Sequence, residues 1–95
     1  MELLWTPEAV QDRDEIYDYI DADNPQAALS LDELFSAGAR RLLSHPHSGR
    51  PGRVPDTMEL VVHGSYMLVY ELRGSQIRIL AVVHTARCWP SPGPA

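Results

Sequence analysis

All four histidines and seven of the eight arginines of this chain lie beyond residue 33, so groups that could move a proton or hold an anion are concentrated in one part of it. His84 closes an apolar run, and a histidine there could act as acid or base. A strand-end histidine can equally bond backbone or water. His63, beside Gly64-Ser65, reads as solvent-facing polarity. Glu59 could serve as a general base, although a cross-strand pair with an arginine is the commoner use. Arg50 and Arg53 form a basic spot suited to a phosphate or an acidic partner, or they are simply solvated. Tyr66 joins Arg50, Arg53 and Glu59 as a candidate phosphate or partner contact, while Trp5, Tyr17, Tyr66 and Tyr70 also read as core aromatics. His45 and His47 lack a third ligand, so neither a metal nor a cofactor is expected. Cys88, the single cysteine, has no matched histidine and is not expected to be a nucleophile. It excludes an internal disulfide and suits a reducing cytoplasm.

Those residues must be held by elements that the sequence marks clearly. Thr6-Pro7 and Asn24-Pro25 each combine a capping side chain with a proline at the first helical position. Ala9, Arg13, Ile16, Tyr17 and Ile20 recur at helical spacing and predict a helix over Pro7–Asp21. A second helix follows, with an expected buried stripe of Leu31, Leu34, Phe35, Gly38 and Leu42, and His45-Pro46 stops it. The short link makes the two an antiparallel hairpin. Residues 45–57 (HPHSGRPGRVPDT) read as a loop, long for a compact domain. Met58–His63, Tyr66–Leu72 and Gln76–His84 read as strands joined by tight turns at Gly64-Ser65 and Gly74-Ser75. In the last of them Ile77, Ile79, Ala81 and Val83 are expected on one face, with Leu80 and Val82 on the other. That pattern predicts a central strand covered on both sides.

Ninety-five residues make one domain, expected over 1–90, followed by a flexible proline-rich tail at 91–95. At 44% hydrophobic and 22% charged the chain is ordinary for a globular protein. No apolar run reaches the ~20 residues of a membrane span, so no membrane partner is expected. Charge is segregated. Residues 1–33 carry ten acids and one base, whereas the rest carry three acids and seven arginines, giving −9 and +4 within a net −5. A chain at pI ≈ 5.2 lacks the basic field that steers nucleic-acid binders, so any such contact would be local.

The segments GRPGRVPDTMELVVHGSYMLVYEL (49–72) and IRILAVVHTARCWP (77–90), with WTPEA (5–9) and DNPQAA (23–28), resemble the RelE/ParE superfamily, the toxins of bacterial type II toxin–antitoxin systems. The resemblance covers about residues 2–90. It implies an α+β fold of order β-α-α-β-β-β, a helical hairpin packed on a curved antiparallel sheet. It also implies a cognate antitoxin whose flexible segment wraps the toxin. Within the superfamily, RelE-type members cleave messenger RNA on the ribosome and ParE-type members poison DNA gyrase. Metal-free RNA cleavage needs a base, an acid and cations for the phosphorane charge. The family ribonucleases carry an arginine within a Tyr-Arg-Leu-Val-Tyr run, which here reads Tyr66-Met67-Leu68-Val69-Tyr70. Their Thr-Arg-Glu segment likewise reads Thr57-Met58-Glu59. Arg87 matches the arginine that RelE-type enzymes carry beyond the last strand, so His84 and Arg87 would be the catalytic pair of a ribonuclease. The acidic face of the first helix (Asp12, Asp14, Glu15, Asp18, Asp21, Asp23), expected to be solvated, disfavours RNA phosphate. The resemblance therefore points to a growth-inhibiting toxin of the gyrase-directed branch. A ribosome-dependent endoribonuclease and a detoxified antitoxin-binding module are the alternatives.

Overall fold

The computed structural model describes residues 1–86 and Trp89. Thr6 caps helix α1 (Pro7–Asp21) by accepting from the Ala9 N–H, and Asn24 caps helix α2 (Pro25–Arg41) by accepting from Ala27. Each cap satisfies an orphan donor of the first turn, and the proline after it has no N–H to satisfy. The strands are β1 (Glu2–Trp5), β2 (Arg50–Pro51), β3 (Thr57–His63), β4 (Tyr66–Arg73) and β5 (Gln76–His84). They form one sheet in the order β1-β5-β4-β3-β2, with the helical hairpin on one face. No helix among the described residues is long and apolar enough to cross a membrane.

The core lies between the hairpin and the sheet. Ala9, Leu31, Phe35, Ala39 and Leu42 of the helical layer meet Leu60, Leu68, Tyr70, Ile77, Ile79 and Val82. Gly38 lies against the sheet so closely that an added methyl would run into Val62 Cγ1. Leu34, expected in the buried stripe, is 41% exposed. At ~100° per residue it stands roughly 90° from the line through Leu31, Phe35 and Leu42, on the rim of the contact.

Three features of the sheet correct the expectations. First, it is mixed rather than antiparallel, because β1 runs parallel to β5 in the register Glu2↔Gln76 to Trp5↔Ile79. The hairpin and the three-strand meander bring the chain back in its starting direction. Second, the proline-rich run is not all loop: Arg50 and Pro51 pair with Glu59 and Met58. A proline is tolerated there because β2 is an edge strand and its missing N–H takes no ladder bond from a neighbour. Third, the β4–β5 register shifts between Val69 and Tyr70, so Ala81 pairs with Val69 while Ile79 pairs with Tyr70. Leu80 is the extra residue of a bulge. Ile77, Ile79 and Val82 therefore face the helices, and Ala81 and Val83 face outward, instead of the four odd-numbered residues sharing one face. β5 is an interior strand, between β1 and β4, but the central one is β4, and the helices cover only one face of the sheet.

Candidate functional site

Two surfaces gather the chemistry-bearing side chains: a groove between α1 and β5, and the outer face of the sheet. Polar contacts on two sides of α1 set its position beside β5. Arg13, the only base among the first 33 residues, donates through Nε to Asp32 Oδ1 (3.0 Å) and through its terminal nitrogen to the Ser36 hydroxyl (2.9 Å). Its guanidinium also lies 4.4 Å from the centre of the Trp5 ring. One planar fork thus ties α1 to α2 and β1. On the other side Asp12 Oδ2 accepts from the Val82 N–H at 3.0 Å.

Asp12 was expected on a solvated acidic face and is instead half-buried against the sheet. Burial pushes its carboxyl above the ordinary value. The Val82 N–H opposes that rise, and the negative charges of Glu15 and Glu8 add to it. Helical periodicity marks which residues share a face, but not that β5 would offer a free N–H at that point.

The groove has a volume of about 760 Å³. Glu8, Asp12, Glu15, Ile16 and Tyr19 form its α1 wall, and Leu80–His84, Tyr66 and Trp89 complete it. His84 meets Tyr66 edge-on at 5.3 Å between ring centres, and Tyr66 meets Phe35 edge-on at 5.8 Å. His84 Nδ1 accepts from the Ala86 N–H, and His63 Nδ1 accepts from Ser65, so a neutral ring carries its proton on Nε2 in each case. Tyr66 is both a partner of the core and a wall of the groove.

On the outer face Arg50 Nε donates to Glu59 Oε1 at 3.1 Å, the cross-strand pair anticipated for Glu59. Arg53 is exposed on the loop, with no hydrogen bond or ion pair among the described residues. Glu71 lies 3.5 Å from Arg78 and 3.7 Å from Arg73. Beside these charges the face is apolar: Met67 is 4% exposed, Val69 is fully buried, and Val61, Ala81 and Val83 surround them by register. Arg87 and Cys88 lie outside the described residues.

Proton-transfer catalysis on a phosphodiester requires acid, base and cation around one phosphorus atom. Among the described residues the candidate side chains divide between the two faces of the sheet. His84 and Tyr66 pair across β5 and β4 on the helix-facing side, whereas Glu59, Met67 and Arg50 project from the opposite side. Among the described residues no group of three or more histidine, cysteine or carboxylate side chains could hold a metal ion.

The chain is similar to several known proteins along nearly its whole length. It is 37% identical over 89 residues to "Putative toxin Y4kP" of Sinorhizobium fredii strain NGR234, covering 93% of this chain and 92% of that protein. A solved chromosomal ParDE toxin–antitoxin system from P. aeruginosa superposes with a TM-score of 0.79 at 27% identity, over 88% of this chain and 95% of the other. The fold is shared with a YoeB/ParE toxin from Agrobacterium tumefaciens (TM-score 0.56, 16% identity, 88% and 98% covered). Residues 3–89 match the family described as ParE toxin of type II toxin–antitoxin system, parDE, and the chain belongs to that family.

Proposed function

We propose that this ParE-like toxin arrests growth by acting on DNA gyrase, without cutting messenger RNA, and that its cognate antitoxin silences it. The observation carrying this reading is Met67, an apolar side chain buried among valines and alanine where the resembling ribonucleases hold an arginine. Methionine cannot stabilise a developing phosphate charge. His84 occupies the other face of the sheet, and Glu59, on the same face as Met67, is paired with Arg50. The negative charges of Glu8, Asp12 and Glu15 beside His84 oppose the approach of an RNA backbone.

The roles of individual residues follow from the same placement. His84 and Tyr66 contact a protein partner in the groove. Arg53 is the exposed cation offered to an acidic surface, and Arg50 and Glu59 brace each other. Arg87, taken from the resemblance alone, keeps a catalytic role only in a ribonuclease.

Two assays on the purified chain test the reading: supercoiling by gyrase, and integrity of a transcript being translated by ribosomes. Inhibited supercoiling with an intact transcript is expected. Cleaved transcript with unimpaired gyrase would overturn it. Met67→Arg sharpens the test. That substitution should not produce cleavage and should destabilise the fold by several kcal/mol, because it places a charge at a buried apolar position. A Met67→Arg chain as stable as the parent and cutting RNA would instead support the ribonuclease.

A further inference from the structure

Arginines gather at the end of the sheet farthest from the groove. The groove runs along Leu80–His84, and His63, Tyr66 and His84 form the last row of paired residues there. At the opposite end stand the turn that leads into β3 and the Gly74-Ser75 turn between β4 and β5. The register at that end runs Thr57, Glu71, Arg78 and Leu4 across four strands, all on the outer face. Arg73, two residues past Glu71 on β4, shares that face. Arg78 and Arg73 both converge on Glu71 Oε1, at 3.5 and 3.7 Å. Charge-assisted bonds close to about 2.7–2.9 Å, so one carboxylate oxygen serves two guanidiniums and saturates neither. Arg78 Nε is also buried without a partner among the described residues. Arg53 belongs to the same end. Its turn is closed by the Gly52 N–H donating to the Thr57 carbonyl at 2.8 Å, and Thr57 stands beside Glu71.

We propose that this end of the sheet, through Arg53, Arg73 and Arg78, is the surface that docks on the target protein, against a patch of carboxylates. The inference rests on the gyrase reading above and adds the contact surface and the chemistry it meets. Charge pattern selects a protein over nucleic acid. Asp56 on the turn of Arg53, together with Glu71 and Glu2, interleaves acids with the arginines. That mixture is not the continuous basic stripe that a phosphate backbone calls for, and the chain as a whole is acidic, at pI ≈ 5.2. Guanidinium forks take carboxylates two oxygens at a time, which a single long contact to Glu71 leaves them free to do. Leu4, 39% exposed, lies beside Arg78 and supplies an apolar contact next to the cations. Arginine set against apolar side chains is enriched at protein interfaces. The Arg73 side chain is 68% exposed and reaches outward, whereas that of Arg78 is 31% exposed and stays with Glu71. Arg53 and Arg73 therefore make the first contact, and their charge speeds the encounter with an acidic surface.

The test measures the concentration of purified chain that half-inhibits supercoiling by gyrase. The double variant Arg53→Ala with Arg73→Ala should need about tenfold more at low salt, with a shallower salt dependence than the parent. Its thermal transition in circular dichroism should match the parent, because both side chains are exposed. Arg40→Ala with Arg41→Ala removes the same net charge from the exposed end of α2 and should leave the inhibition unchanged. A double variant at Arg53 and Arg73 as potent as the parent would overturn the proposal while the gyrase reading stands. Equal losses from both pairs would assign the effect to net charge and overturn the located surface. Binding of the parent to DNA-free gyrase, weakened by the first pair, is expected. Binding of the parent to bare duplex DNA, lost with Arg53 and Arg73, would identify phosphate as the ligand and overturn the carboxylate partner. Supercoiling unimpaired by the parent would refute the gyrase reading itself, and this surface with it.

Discussion

Tyr70 is fully buried, yet its hydroxyl is used twice: it donates to the Pro46 carbonyl at 2.8 Å and accepts from the Gly49 N–H at 3.1 Å. Both bonds hold the proline-rich loop that carries Arg50 onto the sheet. Burial pushes the phenol above its ordinary value, and the Gly49 N–H works against that. Tyr70→Phe keeps the ring and strands two backbone groups, so it should cost about 1–3 kcal/mol in urea denaturation. A midpoint equal to wild type would mean that the loop is not held there. Asp12 gives a pH signature. Its native pKa is raised above its unfolded value of 3.8, so the stability it contributes is fully present below that value and is lost as pH rises through the native one. Asp12→Asn keeps an acceptor for Val82 without a charge. The stability of the Asp12→Asn variant relative to wild type should therefore grow between acid and neutral pH, measured as denaturation midpoints across that range. A difference independent of pH would show that Asp12 has the same affinity for protons in both states. The sequence made Tyr70 legible as core, by its place in an apolar run. It gave no sign of Asp12, because an acid on an acidic helix reads as solvated until the strand beneath it is known.

At the scale of elements, both helix starts were legible, since each cap and proline acts within four residues of sequence. Strand extents were nearly so, and the Gly74 turn, with φ of 58°, sits where glycine tolerates a left-handed backbone. Phase within an element was less secure. Leu34 and Leu31 are equally apolar, but only Leu31 faces the sheet. Leu68, fully buried on the central β4, should cost ~2–5 kcal/mol when cut to alanine, whereas Leu34→Ala should stay within about 0.5 kcal/mol. Comparable losses from the two would contradict the helix orientation. Gly38→Ala tests the same contact from the other direction. The methyl meets Val62, a stiff β-branched side chain, and a loss of about 1–3 kcal/mol is expected despite the better helix propensity of alanine. The bulge at Leu80 was invisible to alternation counting, because an inserted residue leaves composition unchanged while reversing the faces of everything after it.

Across the whole molecule, the first and last described strands are partners, so β1 closes the edge of β5 against residues more than seventy positions away. Deleting residues 1–5 removes that strand together with Trp5, on which Arg13 stacks. The truncated chain should lose its cooperative thermal transition in circular dichroism; a transition at the parent temperature would show β1 to be dispensable. Charge is divided at this scale too, with ten acids in the first 33 residues. What the sequence by itself determined is both helices, four of the five strands and their order, because capping, turn chemistry and apolar runs act over a few residues; the toxin family was legible as a resemblance of whole segments. The candidate site was only partly within its reach. His84, Tyr66, Glu59 and Arg50 could be named as chemically capable, but naming them does not say which face of the sheet each occupies. Tertiary structure alone decided that His84 and Met67 stand on opposite faces, that Asp12 closes a strand edge, and that β1 runs parallel to β5. Each of those depends on a register, and register is fixed by pairing between distant segments rather than by anything a local stretch of sequence contains.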